Sequence, residues 1–309
     1  MLELALSAIG ATLLVLSLVP NPAQAQPARV FVAAQGLDSN PCSFAAPCRT
    51  FQHAHDVVAS GGEIDVLDPA GYGSVSISKS ISIQGHGFAG ISAPSGDAIA
   101  ISAGAKVNLR GLLIDGVGSG GFGVVFTSGY VSLQECLIRN FVNGGIRFFP
   151  NVAAGLSVSN TVIADNGSQA INVFNFASTA ISVVLEQVRA VNNGIGIAAQ
   201  GVTNGSSLNV TISRSVVTGS GTGVYASRIA GPVLATVFIR DTTISNNGTG
   251  VFADTGGTIY LARSVVAANG TGWDTCTGCI PAGTVNSYAD NNIDNNAAGN
   301  AAPPSIPAK

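Results

Sequence analysis

The chain has 309 residues, of which 46% are hydrophobic and only 9% charged, with 39 glycines, 13 prolines and a formal net charge of −3 at neutral pH. That much apolar material builds one large core and excludes a disordered chain, and the glycine and proline content favours turns over helices. Its 13 basic residues are scattered, with no run or recognition signature, which excludes nucleic acid as a partner because phosphate binding needs clustered lysine and arginine.

The first element is Leu4 to Val19, an apolar run too short for a comfortable membrane span, followed by Pro20, Pro22 and Ala23-Gln24-Ala25. This pattern predicts a secretory signal peptide over residues 1–25, cleaved after Ala25, although its n-region carries Glu3 and no lysine or arginine. A retained anchor helix is the alternative. The mature protein is then expected in the periplasm, at the cell surface or secreted, with no further segment that could span a membrane.

Residues 26–62 begin with a short strand over Arg29 to Ala34 and a turn-rich loop from Gly36 to Pro47. An amphipathic helix follows over Arg49 to Ala59, with Phe51, Ala54, Val57 and Val58 on one side and Gly61-Gly62 as its stop. Lying directly before a stack of coils, it is expected to cap them. His53 and His55, two apart on that helix, point in different directions and read as surface polar residues rather than metal ligands.

From Glu63 onward apolar residues alternate in short runs: Ile64 and Val66, Val75 and Ile77, Ile81 and Ile83. Between Leu109 and Val266 one phrase then recurs every 22 to 27 residues: an aliphatic residue, two mostly polar ones, a small or aliphatic one, any residue, and another aliphatic. Its copies start at Leu109, Leu133, Val158, Leu185, Ile212, Ile239 and Leu261, and each is followed by a second apolar anchor: Val124, Ile146, Ile171, Ile197, Val224, Val251 and Trp273. Between phrase and anchor lie Asn143-Gly144, Asn166-Gly167, Asn193-Gly194, Gly219-Ser220-Gly221, Asn247-Gly248 and Asn269-Gly270. These predict a recurring bend that uses the left-handed backbone asparagine and glycine tolerate, with stacked asparagine side chains able to bond neighbouring rungs.

No copy is long enough to bury an apolar face alone, so the repeats must stack. The predicted fold is all-β: a right-handed parallel β-helix, or solenoid, over residues 63–296 with a short N-terminal capping α-helix. A last partial rung runs from Val285 to Asn296, and residues 297–309 are expected to be a disordered tail.

Five cysteines suit an exported protein. Cys42 and Cys48 flank a short loop that a disulfide could close. Cys276-Thr277-Gly278-Cys279 admits a redox pair, half a zinc site or a loop disulfide, and the last is preferred because no second ligand pair and no βαβ context accompanies it. Cys136 fills the fourth position of the phrase, where other copies carry Leu112, Thr161, Val188, Ser215, Thr242 and Ser264, and reads as a small buried thiol.

The signal peptide, the stretch from Pro41-Cys42 to Pro47-Cys48-Arg49-Thr50-Phe51, the Gly62-Glu63-Ile64-Asp65-Val66 strand and coils ending in Asn-Gly-x-Gly-aliphatic together resemble bacterial proteins with right-handed parallel β-helix repeats, of the pectin-lyase-like superfamily. The resemblance covers about residues 29–296 and implies the architecture. It does not fix an activity, since the superfamily holds lyases, hydrolases, epimerases, adhesins and tailspikes. Lyases of this kind use a calcium ion, but Asp115, Asp165 and Asp241 do not converge on a cation that wants six or more oxygens. Gly85-His86-Gly87 and Asp97 look like fragments of the hydrolase pattern, yet no Asp-Asp pair or Arg-Ile-Lys accompanies them, and glycoside hydrolysis needs two carboxyl groups. His86 reads as a turn residue and Asp97 as a turn acceptor. No catalytic, cofactor or metal residue is assigned, and no cofactor is expected, with a calcium ion as the alternative.

The two middle residues of each phrase form outward columns, among them Glu135, Glu186, Arg214, Arg240, Asp241 and Arg263. These six are either a solvated charge ladder or the candidate glycan contacts of a shallow polar groove, with Tyr130, Tyr225, Phe252 and Tyr260 as stacking platforms. The expected function is an exported, non-catalytic scaffold that contacts polysaccharide; the alternative is a carbohydrate-active enzyme, lyase or hydrolase, with an atypical site.

Overall fold

The computed structural model describes residues 25–307 apart from 103, 178, 180, 203–206 and 230–233, so the segment expected to be a signal peptide lies, up to residue 24, outside the described residues. The chain winds as a parallel β-solenoid whose coils have three faces. One coil consists of Ala235–Arg240, Thr243–Ser245 and Thr249–Ala253. Each strand pairs in parallel with the equivalent strand one coil away.

Register follows from the alternation of apolar and polar residues, because a slip of one position would turn every inward side chain to water. On the first face Leu133 pairs with Val158, Val158 with Leu185, Leu185 with Ile212, Ile212 with Ile239 and Ile239 with Leu261. The second face stacks Ile138, Ile163, Ala190, Val217, Ile244 and Val266, and the third Ile146, Ile171, Ile197, Val224, Val251 and Trp273. All but Trp273 are buried. The indole stays half-exposed, and its Nε1–H donates to the Ala301 carbonyl at 2.6 Å.

The corners carry the left-handed residues, but not where the Asn-Gly pairs suggest. Between the first and second faces the third residue of the phrase has positive φ: Glu135 at 55°, Asn160 at 47°, Gln187 at 53°, Arg214 at 49°, Asp241 at 51° and Arg263 at 45°. Their N–H groups stay paired; that of Arg214, for example, donates to the Arg240 carbonyl of the next coil at 3.2 Å. Between the second and third faces, from Asn166-Gly167 onward, the left-handed residue is the one before each pair, as at Asp165 (56°), Asn192 (53°) and Asn246 (56°). The asparagines themselves point inward and are buried. The glycines after them have ordinary φ and serve close packing, since a Cβ on Gly248 would sit 2.6 Å from the Gly221 carbonyl oxygen.

Two polar ladders run inside these corners. In the second, Asn166, Asn193, Ser220, Asn247, Asn269 and Asn296 each accept from the backbone N–H of the preceding coil, beginning at Phe141. In the first, the hydroxyls of Thr161, Ser215, Thr242 and Ser264 accept the same way and donate to the carbonyl two residues back. Val188 interrupts this run and offers Thr161 no acceptor. We expect Val188→Thr to raise stability by about 1 kcal/mol, the net value of one well-placed hydrogen bond, in urea unfolding. A loss of stability would mean the hydroxyl finds no room there.

Helix α1 spans Phe51–Val57, shorter at both ends than expected, with Thr50 accepting from the His53 N–H at 3.2 Å. Phe51 and Ala54 are buried against the first coils, Phe51 beside Tyr72 at 5.2 Å between ring centres. His55 is not a surface residue: it is 4% exposed, and its Nε2 accepts from the Ser78 N–H at 3.2 Å, which leaves Nδ1 to donate to Asp56 at 2.9 Å. The tail expected to be disordered is also corrected. Through Pro307 it lies on the last coils, with Ala298 bridging Thr271 and Ser305 bridging Ser287 in parallel, because these segments supply backbone partners that the last rung would otherwise lack. Disulfides join Cys42 to Cys48 and Cys276 to Cys279. Among the described residues no helix is long and apolar enough to cross a membrane.

Candidate functional site

The six outward candidates do not form one groove; they fall into three ion-paired groups along the corner between the first and second faces. Glu135 accepts from Nη2 and Nε of Arg110 at 2.9 and 3.2 Å. Glu186 pairs with Arg214. Asp241 sits between Arg263, at 2.8 and 3.0 Å, and Arg240 at 3.2 Å. The hydrogen bonds from Arg263, then those from Arg240, hold the Asp241 carboxyl down at about 2. Solvent screens exposed pairs of this kind, so their main effect is to fix where charge is displayed.

Next to the Asp241 group the first face opens into a cleft of about 700 Å³ lined by Phe238, Tyr260, Arg263, Tyr288 and Asp290. Phe238 and Tyr260 are register partners on adjacent coils. Their rings lie parallel, 4.9 Å apart with planes 9° from one another, and Phe238 remains 39% exposed. The ring spacing equals that between strands, because both residues occupy the same outward position one coil apart. Tyr130, 56% exposed, lies four coils before Phe238 in the adjacent outward column of the same face, against Gly155. The two other platforms, Tyr225 and Phe252, lie on the third face in a tilted contact at 5.8 Å, and the Tyr225 hydroxyl donates to Asp254 at 2.8 Å.

A third constellation, which reading the residues singly misses, gathers at the N-terminal end of the charged corner. His86 is a turn residue as expected, with φ of 55°, but its Nε2 lies 2.6 Å from Oδ1 of Asp65, whose side chain also approaches Arg29 at 3.5 Å. The cleft beside it, about 460 Å³, is lined by Gln84, His86, Arg110 and Glu135. An imidazole oriented by a carboxylate beside a guanidinium can move a proton and hold an anion. Asp97 is a turn acceptor, taking the Phe122 N–H at 2.9 Å.

The three aspartates considered as calcium ligands lie apart and have protein partners. Asp115 accepts from Arg139 at 2.9 Å and Asn140 at 3.1 Å, Asp165 from Asn192 at 3.2 Å, and Asp241 from its two arginines. Two clusters of three metal-ligating side chains occur among the described residues, Cys42, Cys48 and His53, and Asp254, Cys276 and Cys279. In both, the thiols are consumed by a disulfide.

Cys136 is buried in the hydroxyl ladder, its Sγ 3.3 Å from the Gln134 carbonyl oxygen, and burial pushes the thiol up to about 11. A protonated, enclosed thiol is a poor nucleophile. Ellman's reagent should therefore find no reactive thiol in the native protein near pH 8 and one after unfolding. Rapid native labelling would contradict the placement.

No family model matches this chain, and no curated protein matches it. Solved structures do. The crystal structure of pectate lyase Pel9A aligns with a TM-score of 0.57 at 15% identity, over 84% of this chain and 74% of that one. The A-module of Azotobacter vinelandii mannuronan C-5 epimerase AlgE4 aligns with a TM-score of 0.53 at 15% identity, over 80% of this chain and 91% of that one. At such identities the likeness concerns the fold alone: this chain is a parallel β-helix, as those two proteins are.

Proposed function

We propose that the protein is an exported, non-catalytic scaffold that contacts polysaccharide along its first face. The observation that carries this reading is the parallel Phe238–Tyr260 pair in an open cleft flanked by Arg263 and Asp290. The stacked rings present a joint apolar edge against which a sugar ring can pack, and the flanking charges suit its substituents. The carbohydrate-active fold neighbours support a carbohydrate-related role, and the two disulfides support export, because such bonds persist in oxidising compartments.

In affinity electrophoresis through gels containing acidic or neutral polysaccharides, Tyr260→Ala is expected to weaken binding about tenfold, the effect of truncating an aromatic anchor worth about 1.4 kcal/mol. Binding that survives in both Tyr260→Ala and Phe238→Ala would refute the placement. The second reading, an enzyme, is favoured by the Asp65–His86 pair beside Arg110 and Glu135. Incubation with uronate polymers, with and without calcium, tests it. Unsaturated products or new reducing ends that disappear in His86→Ala would overturn the scaffold reading.

A further inference from the structure

Cys276-Thr277-Gly278-Cys279 has no second ligand pair in the sequence, but the fold brings a third ligand to it from the preceding coil. Strands Thr249–Ala253 and Thr271–Thr275 pair in parallel with Ala253 opposite Thr275, so the residues that follow, Asp254 and Cys276, stand on adjacent coils. The Asp254 carboxylate and both sulfurs lie within 4.8 Å of one another, with Oδ1 3.5 Å from the Cys279 Sγ. The carboxylate is held from behind: Oδ2 accepts from the Tyr225 hydroxyl at 2.8 Å and Oδ1 from the Thr255 N–H at 2.6 Å. Among the described residues no cationic side chain pairs with it.

A loop staple explains the sulfur–sulfur bond, and a local turn explains the Thr255 contact, but neither calls for an unneutralised carboxylate against a sulfur. A disulfide sulfur has no proton to donate to it, and in the reduced pair the carboxylate opposes the thiolates that exchange requires. A divalent cation removes that conflict. A tetrahedral ion with sulfur at about 2.3 Å and oxygen at about 2.1 Å sets those two atoms about 3.6 Å apart, close to the 3.5 Å between Cys279 and Asp254. The bonds from Tyr225 and Thr255 are of the kind that orient a ligating carboxylate. Arg228, whose Nη2 donates to the Ile280 carbonyl at 2.9 Å, places positive charge beside the loop, against the net negative charge of two thiolates and a carboxylate on a dication.

We propose that Cys276 and Cys279, once reduced, bind a borderline-soft divalent cation such as zinc together with Asp254, and that the disulfide is the metal-free form of the same site. A dithiol reductant, small or protein-borne, gives two electrons and two protons to the disulfide and leaves as its own disulfide; the cation then displaces both thiol protons to solvent. Oxidation of the two thiolates by a disulfide oxidant takes the two electrons back and releases the cation. The pair is placed for this exchange: both cysteines are half-exposed and Ile280 beside them is exposed, whereas Cys42 and Cys48 are buried. Three protein ligands leave the fourth position to water. The site does not depend on the polysaccharide reading.

The experiment is a cobalt(II) titration of the protein, reduced without oxygen and freed of reductant, followed by competition with zinc. A single cobalt ion per chain is expected, with thiolate-to-metal charge-transfer absorption that zinc abolishes and that disappears when the disulfide is restored. Asp254→Asn, which keeps an acceptor for the Thr255 N–H, should weaken cobalt binding at least tenfold, and Tyr225→Phe about tenfold, the cost of removing an outer partner of a metal ligand. In Cys276→Ser/Cys279→Ser the band should vanish while circular dichroism shows the coils intact. No charge-transfer band in the reduced protein, an unchanged band in Cys276→Ser/Cys279→Ser, which would move the metal to Cys42, Cys48 and His53, or undiminished affinity in Asp254→Asn would overturn the proposal.

Discussion

Asn247→Ala is expected to destabilise the protein by about 4 kcal/mol, since each buried backbone group left without a partner costs about 1–3 kcal/mol. Asn247 Oδ1 accepts the Ser220 N–H at 2.9 Å, and its Nδ2 donates to the Val217 carbonyl at 3.1 Å and to Asn269 Oδ1 at 3.0 Å. Alanine removes all three bonds at a buried corner where water cannot replace them, and it leaves a void the stacked coils cannot close. Because each coil of a solenoid is supported only by its neighbours, the damage should appear as local opening around this corner as well as a lower urea midpoint. Asn246→Ala is the control: Asn246 is left-handed with φ of 56° but exposed, and its replacement should cost only about 1 kcal/mol of backbone strain. Equal losses in the two variants would mean that the ladder contributes no more than the turn.

Gly223→Val should cost about 3 kcal/mol or more, the upper end of what overpacking a core produces. A Cβ at this position would lie 2.5 Å from the Gly250 carbonyl oxygen, 2.9 Å from Cγ2 of Ile244 and 3.1 Å from Nδ2 of Asn247. The first of these is backbone fixed by the next coil, so neither a rotamer change nor a small shift relieves it. The same variant presses on the Asn247 amide, so its effect combined with Asn247→Ala should be less than additive. Gly278, with nothing within 4 Å of a would-be Cβ, is the reference, and Gly278→Ala should change stability by less than about 0.5 kcal/mol. A native-like melting curve for Gly223→Val would show that the coils can spread apart at this corner.

These two residues also mark how far the sequence is legible. The two glycines of the Asn-Gly-x-Gly-aliphatic ending serve the same use: Gly248 and Gly250 both face a carbonyl oxygen of a neighbouring coil, at 2.6 and 2.5 Å from a would-be Cβ, and neither is left-handed. Composition alone suggests left-handed turns for such pairs, while the turn falls one residue earlier, on whatever occupies that site, even Ala268 at 57°. In one coil Phe141, and not Asn143, takes the ladder position. An asparagine reads alike in a turn and in a ladder until its neighbour on the next coil is known.

What the sequence determined by itself is the solenoid. Inward positions must be apolar at a period of two along each strand and must recur once per coil, so burial writes itself into the residue pattern at intervals of 22 to 27. Both disulfides and the buried Cys136 follow from the same local reading. Outward positions carry no such requirement. Asp65 with His86, Phe238 with Tyr260, and Asp254 with Cys276 meet because the strands stack in register, 21 or 22 residues apart, and nothing in either member of a pair announces the other. Only the tertiary structure decided which exposed side chains stand together, because solvent tolerates almost any residue on that surface and the core tolerates few.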